Sequence, residues 1–194
     1  MTKTLVFGKI IKKYNIPLDQ IKDLNQKYEE VKNNLGSFGP RLAGRLDSEL
    51  QFTKILESTK IYTTITECIS DYIDSGVEYG LLLQGGPLEI LSCWINDMKP
   101  GEYNPPHTHH NLTGYSSVLF LKVPEFINDV KDPHKFKDGQ LGFVGVDGVG
   151  TTWLNPKVGD FYIFQASHQH CVMPFKSVNN EIRRSMSFNF IFKH

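Results

Sequence analysis

Two histidine pairs with the spacing H-x-H are the strongest candidates for chemistry in this sequence: His107 with His109, and His168 with His170. If each pair lies in a strand, its two side chains point to the same face, because strand side chains alternate between faces. The pairs are about 60 residues apart, and two distant strands of a β-sandwich can bring them together. Neutral imidazole is a common metal ligand, and two or three histidines at one site suit Fe, Zn, Cu or Ni. The pattern predicts a transition-metal site, and a loop of solvated imidazoles is the alternative.

The remaining histidines carry less weight. His110 points away from its neighbours if the segment is extended, His134 is predicted to lie in a solvated loop, and His194 is the last residue of the sequence.

A second candidate is the segment RRSMSFNF, which begins at Arg183 and reads as a strand. One face carries Arg183, Ser185, Ser187 and Asn189, and the other carries Arg184 followed by Met and Phe residues. The apolar face is expected to pack against helices or an outer core. Polar side chains facing inward need partners, and a cavity with a charged ligand supplies them. An arginine there can hold a carboxylate through two parallel hydrogen bonds, unless this face is the solvent face of an edge strand.

The elements that would position these residues divide the chain into two parts. Apolar residues spaced by three and four predict two helices, over 17–35 and about 47–74. The loop GSFGPRLAG separates them, and Gly76 is expected to end the second helix. After Gly76, short segments rich in β-branched and aromatic residues alternate with turn residues, and no helical pattern lies between them. The sequence therefore predicts a mainly β protein with N-terminal helices, built as an antiparallel sandwich or barrel.

Composition limits the class of protein and its surroundings. The chain of 194 residues carries 21 Lys and Arg against 21 Asp and Glu, so its formal net charge is zero. Zero net charge argues against broad binding to nucleic acid or anionic membranes, and there is no apolar run long enough to cross a membrane. The three cysteines lack metal or disulfide spacing, and no signal peptide is evident. A cytoplasmic location is expected, which means the host cytoplasm if a phage encodes the chain.

Three segments together resemble a known superfamily: WINDMKPGEYNPPHTHHN (94–111), PKVGDFYIFQASHQHCVMP (156–174) and RRSMSFN (183–189). They look like the Fe(II)/2-oxoglutarate-dependent oxygenases, in particular small bacterial and phage members related in fold to prolyl 4-hydroxylases. The resemblance implies a double-stranded β-helix, a cupin-like jelly-roll, over 76–194. Residues 1–75 would be a helical extension that packs on it within one structural unit.

The resemblance also implies a site that uses Fe(II) with 2-oxoglutarate as cosubstrate. His107, His109 and His170 fall on the metal-ligand positions, and Arg183 falls on the residue that binds the far carboxylate of 2-oxoglutarate. Ser185 and Asn189 fall on neighbouring positions that could contact the cosubstrate. Asn96 is a candidate pocket residue beside them. No catalytic residue beyond the metal centre is implied.

Two positions depart from the superfamily pattern. The usual second ligand is Asp or Glu, but His109 stands there, so either a three-histidine site forms or water takes the position. Phe120 replaces a tyrosine that often helps to hold 2-oxoglutarate, and phenylalanine cannot donate that hydrogen bond.

The sequence is also compatible with two other functions. A cupin-like three-histidine metal protein would not use 2-oxoglutarate and would be indifferent to Arg183→Ala. A non-catalytic jelly-roll module would bind no metal with fixed stoichiometry. The substrate is unidentified, either a small molecule or a protein, with a peptidyl side chain such as proline as the expectation by analogy. Neither nucleic acid nor membrane is expected as a partner, and assembly into a homo-oligomer stays open.

Overall fold

The computed structural model describes residues 8–82, 86–109, 113–128, 131–132, 136–145 and 150–193. Three α-helices lie in the first part of the chain: α1 (Leu18–Val31), α2 (Thr53–Leu56) and α3 (Ile61–Glu78). Short 3-10 turns occur at Lys32–Asn34, Gly39–Arg41 and Val178–Asn180. The strands follow in chain order: β1 (Ile11–Asn15), β2 (Ser48–Gln51), β3 (Leu88–Met98), β4 (Asn104–His107), β5 (Tyr115–Lys122), β6 (Leu141–Val144), β7 (Thr151–Leu154), β8 (Asp160–Gln165), β9 (His170–Val172) and β10 (Arg183–Phe192).

These strands form two antiparallel sheets. The larger sheet has the order β1-β8-β5-β10-β3-β2, and the smaller one has the order β4-β9-β6-β7. Strands distant in sequence are neighbours in both sheets, as in a jelly-roll, which is the fold predicted from the sequence. The inner face of the larger sheet and the smaller sheet share an apolar cluster that includes Phe120, Phe143 and Phe164.

Strand β10 lies at the centre of the larger sheet and separates the helices from the interior. Its outward residues Met186, Phe188 and Phe190 are fully buried in one cluster with the apolar faces of α1 and α3. Its inward residues from Arg183 to Asn189 face a cavity between the sheets. The predicted division of this strand into an apolar and a polar face is therefore confirmed, because alternation in a regular strand leaves little freedom.

The N-terminal part differs from the prediction of helices alone. Strand β1 pairs with β8 and strand β2 pairs with β3, so both belong to the larger sheet. The single helix predicted over about 47–74 is wrong, since a strand and a short helix precede α3. Non-local pairing with β3 overrides the local helical spacing there. The domain boundary at residue 75 stays a prediction, although two strands before it pair with strands after it.

The end of the second helix also differs. Helix α3 continues past Gly76 to Glu78, so the prediction that strand-like segments begin directly after Gly76 is wrong for Val77 and Glu78. Residues 83–85 lie outside the described part. A Cβ at Gly76 would clash with the Leu82 side chain. This glycine therefore permits close packing of the following chain rather than ending the helix.

Candidate metal and cosubstrate site

Three histidines converge where strand β4 meets strand β9. His107 and His170 are direct partners in the antiparallel ladder, and their ring centroids are 4.3 Å apart. His109 follows the end of β4, where its backbone N–H donates to Ala166 O, and its ring lies 5.3 Å from that of His170. One ligand nitrogen from each of the three lies within 4.8 Å of the others. This spacing can hold a single metal ion.

Hydrogen bonds orient two of these rings. His107 Nδ1 lies 2.7 Å from Pro105 O, and His170 Nδ1 lies 2.9 Å from His168 O. A carbonyl oxygen accepts hydrogen bonds but cannot donate them, so each Nδ1 carries the proton and each Nε2 keeps its lone pair. His109 Nε2 is buried and has no hydrogen-bond partner among the described residues. Each ring therefore offers a nitrogen to a shared ligand.

Burial keeps these imidazoles neutral. Burial lowers the pKa of His107. Burial, followed by the nearby His107, lowers the pKa of His109 to about 4. Burial, followed by the neighbouring His107, holds the pKa of His170 well below its ordinary value. Metal ions bind the neutral form of histidine. The site is thus ready to bind a cation at neutral pH without first losing protons.

The second predicted histidine pair does not form as expected. His168 lies in the turn before β9 rather than in the strand, and its Nε2 lies 2.9 Å from Val144 O. Because a carbonyl only accepts, His168 Nε2 carries the proton and is taken up by this hydrogen bond. His168 is therefore not part of the three-histidine group. His110, His134 and His194 lie outside the described residues.

Arg183 is a buried cation without a counterion in the described part of the chain. Its side chain is 2% exposed, and Nε and Nη2 have no hydrogen-bond partner there. Nη1 contacts Met98 Sδ at 3.4 Å, and the guanidinium lies over the Phe120 ring at 4.6 Å. Burial lowers the pKa of Arg183 to about 9. An unpaired buried charge is strongly unfavourable, so this geometry calls for an anionic ligand.

A cavity of about 350 Å³ joins Arg183 to the three histidines. Asn96 and Ser185 are ladder partners on its floor, and the Asn96 Oδ1 has no partner among the described residues. Asn189 also lines this cavity, but it lies six residues along β10 from Arg183, which is about 20 Å in a strand. Its assignment to the cosubstrate stays a prediction, and its place favours the opposite end of the cavity.

The adjacent Arg184 has a different environment. It faces the helices, where its Nη2 donates to Asp97 Oδ2 at 2.8 Å and its Nη1 lies 2.8 Å from Glu29 Oε1. The guanidinium also lies 4.4 Å from the centroid of the Tyr28 ring. Neighbouring arginines of one strand thus point to opposite sides, one paired and one unpaired.

Sequence reasoning missed Glu49, which is buried on β2 and lines the same cavity. It is the ladder partner of Asn96. Burial, then the negative charge of Glu102, raises the pKa of Glu49 to about 7. The helix predicted from residue 47 hid this residue, because a helical period does not show which side chains an edge strand turns inward.

The titrations of these groups predict that the metal-free protein loses stability between pH 7 and pH 5. The folded state holds His109 and His170 neutral, whereas the unfolded chain protonates them below about pH 6.5, so unfolding takes up protons. Glu49 acts in the opposite direction, because its folded carboxyl keeps a proton that the unfolded one releases. We expect a net loss on the order of 2 kcal/mol in the free energy of unfolding, measured by urea titration in the presence of a chelator.

Glu49→Gln provides the control for this pH dependence. It removes the opposing titration, so the loss between pH 7 and pH 5 should become larger. Equal stability of the wild-type protein at the two pH values would contradict the prediction.

The cavity between the two antiparallel sheets holds three neutral imidazoles and one unpaired arginine. These features are typical of jelly-roll proteins that bind a metal ion and an anion. Residues 92–189, about half of the chain, match the sequence model of the family described as "Putative 2OG-Fe(II) oxygenase". The chain belongs to this family. The superfamily inferred from the sequence is therefore confirmed, and its bacterial and phage branch stays a prediction.

Solved structures with this fold include several hydroxylases. A prolyl-4-hydroxylase from Pseudomonas putida is 17% identical, with a TM-score of 0.57 over 95% of this chain and 93% of that one. A viral collagen prolyl hydroxylase from Paramecium bursaria Chlorella virus-1, in a 2-oxoglutarate complex, is 15% identical, with a TM-score of 0.61 over 94% and 96%. HygX from Streptomyces hygroscopicus, with nickel and 2-oxoglutarate bound, is 9% identical, with a TM-score of 0.55 over 93% and 82%. A search of curated proteins finds no match.

The metal and cosubstrate of the family are Fe(II) and 2-oxoglutarate, as the sequence predicts. The residues present fit both groups, since three neutral imidazoles suit a first-row transition metal and the unpaired guanidinium suits a carboxylate. Within the described residues, no helix combines the length and the apolar character needed to cross a membrane.

Proposed function

We propose that this protein is an Fe(II)- and 2-oxoglutarate-dependent hydroxylase in which His107, His109 and His170 hold the metal and Arg183 binds the far carboxylate of 2-oxoglutarate. The observation that carries the proposal is the unpaired guanidinium of Arg183 in the same cavity as the three histidines. A metal protein that does not use 2-oxoglutarate has no need for this buried charge, so the cupin-like alternative leaves Arg183 unexplained.

With 2-oxoglutarate and O2, bound Fe(II) supplies oxidative decarboxylation to succinate and CO2, with the second oxygen atom transferred to a substrate C–H bond. The protein's own residues position the reactants. Arg183 fixes one end of the cosubstrate, and Asn96 and Ser185 offer hydrogen bonds beside it. Phe120 cannot donate a hydrogen bond, but its ring lies against the Arg183 guanidinium and helps to hold it by a cation–π contact.

With neutral His109 in place of a carboxylate ligand, the metal site has a net charge that is more positive by one unit. Three neutral imidazoles leave the full charge of a divalent metal, which strengthens its attraction for anionic ligands and reduces its selectivity for Fe(II) over Zn, Ni or Cu. We therefore expect the cosubstrate, rather than the histidine set alone, to favour productive iron binding.

For the substrate, we propose a peptidyl side chain, with proline as the first candidate. The prolyl hydroxylases among the proteins of similar fold support this choice.

The cytoplasmic location proposed from the sequence is supported by the three cysteines, which are unpaired in the structure.

The test is an anaerobic titration of the metal-free protein with Fe(II) and then 2-oxoglutarate, followed by exposure to O2. A visible iron-to-2-oxoglutarate charge-transfer band, and succinate formation after O2 is added, would support the proposed function. Metal uptake without the band would favour the three-histidine alternative instead. Absence of metal uptake would leave a non-catalytic jelly-roll.

A further inference from the structure

Glu49 is a second buried ionisable group in the cavity, and the proposed reaction does not use it. The residue is 3% exposed, and its Oε1 has no hydrogen-bond partner among the described residues. A buried carboxylate without a donor is unfavourable. Its environment therefore calls for a hydrogen-bond donor from a ligand.

Other oxygen atoms surround the same place. Glu49 Oε1 and Asn104 Oδ1 both lie within 3 Å of the position that a Cβ at Gly44 would take. Asn96, the ladder partner of Glu49, has its Oδ1 buried without a partner in the described chain. Several acceptors thus meet at one corner of the cavity, and a ligand group with several N–H donors would satisfy them together.

Two of the nearby cations have partners elsewhere, and Arg183, which lines the same cavity, is assigned to 2-oxoglutarate in the proposed function. Lys99 Nζ donates to Asp47 at 2.8 Å. Arg41, which also lines the cavity, holds its guanidinium 5.8 Å from the Phe38 ring centroid. The carboxylate of Glu102 adds a further negative charge near Glu49. The local electrostatic potential therefore favours a cation from outside the chain.

The wall beside this corner is aromatic and leads to the histidines. The Phe38 and Trp94 rings are stacked at 5.2 Å, and Trp94 lies 6.4 Å from the His109 ring. Trp94 precedes Asn96 by two residues on the same face of β3, so the wall and the acceptor corner are adjacent. An aliphatic chain could lie on this wall with its charged end at Glu49 and a C–H bond near the metal site.

We propose that Glu49 is a specificity-determining residue that binds a positively charged nitrogen of the substrate, an ammonium or guanidinium group. The inference rests on the proposed function, because it assigns the substrate class of the same cavity. In combination with a peptidyl substrate, it predicts a basic residue in the bound peptide.

The test uses butylguanidinium and butylammonium as probes, with butylurea and 1-butanol as their neutral counterparts. Binding is measured by calorimetry on wild type and Glu49→Gln, both loaded anaerobically with Fe(II) and 2-oxoglutarate. We expect both cations to bind the wild-type protein and to bind Glu49→Gln at least about tenfold more weakly, because a charged partner is lost in a buried site. The neutral counterparts should bind neither protein measurably.

A second variant tests the corner without changing its charge. Gly44→Ala would place a methyl group beside both Glu49 Oε1 and Asn104 Oδ1, so it should also weaken cation binding. The charge-transfer band, recorded on every sample, shows that each variant is folded and reports separately on the proposed function. If the band is absent from wild type while the cations still require Glu49, the proposed function fails and the cation site stands. If the cations do not bind, bind Glu49→Gln equally well, or bind no better than their neutral counterparts, the inference is wrong.

Discussion

Replacing Arg183 with methionine should stabilise the ligand-free protein and at the same time greatly weaken 2-oxoglutarate binding. The guanidinium is buried without a counterion in the described chain, and burial lowers its pKa to about 9. Removing this charge relieves a desolvation penalty, for which we expect a gain of about 2 kcal/mol in the free energy of unfolding, or roughly 5 °C in Tm. Loss of the buried charge pair with the cosubstrate should weaken 2-oxoglutarate binding by at least about 100-fold.

The neighbouring arginine is the matched control. Arg184 is equally buried but is paired with Asp97 and Glu29. Arg184→Met should therefore destabilise the protein by about 3 kcal/mol, because it leaves the partly buried Asp97 carboxylate without its partner. The charge-transfer band should persist in Arg184→Met and vanish in Arg183→Met. If Arg183→Met lowers Tm as much as Arg184→Met does, Arg183 has a structural role and the cosubstrate assignment loses its main support.

Replacing His170 with alanine should remove metal binding and, with it, the 2-oxoglutarate band. His170 is 7% exposed, stands directly opposite His107, and has its Nδ1 fixed by a backbone carbonyl. Changes to residues that merely orient a ligand reduce metal affinity by about 10- to 100-fold, so loss of a ligand should exceed about 100-fold. Competition with a chromophoric chelator under anaerobic conditions measures this affinity directly.

His168→Ala is the control for this experiment, since it removes a nearby buried histidine that lies outside the cluster. Its metal affinity should stay within about tenfold of wild type, the lower end of the range for changes beside a metal site. Equal losses in His168→Ala and His170→Ala would contradict the assignment of the ligands.

His109 needs its own comparison, because its identity departs from the superfamily pattern. If His109 is a ligand, His109→Ala should weaken metal binding, and His109→Asp should restore affinity and favour Fe(II) over Zn(II). If water takes that position, the wild-type protein and His109→Ala should bind metal alike.

The parts of the site that the sequence predicted follow rules that hold within one regular strand. In β10, alternation separates Arg183 from Arg184 without knowledge of the rest of the fold. The family resemblance then selected His107, His109 and His170 from seven histidines, and the structure brings these three together.

The errors arose where the chain stops being regular or where pairing is non-local. The spacing of His168 and His170 predicts a shared face if both residues lie in a strand, but the strand begins at His170. For Glu49, the helical spacing around it is a local signal, whereas its inward orientation depends on pairing with β3 across more than 40 residues of sequence. A short segment of sequence does not show which distant strand it will pair with, so the inward orientation of Glu49 could not be predicted from its neighbours alone.

Arg183 and Arg184, which point to opposite faces of β10, also help to fix the register of this strand in the sheet. Because side chains alternate with a period of two, a slip of one residue would exchange the two faces of the whole strand. Arg184 would leave Asp97 and Glu29 for the interior, while phenylalanine side chains would replace serines along the cavity. Hydrophobic burial and charge pairing would thus be lost together, so a misregistered strand should be strongly disfavoured during folding, before any metal or cosubstrate is present to select the correct one.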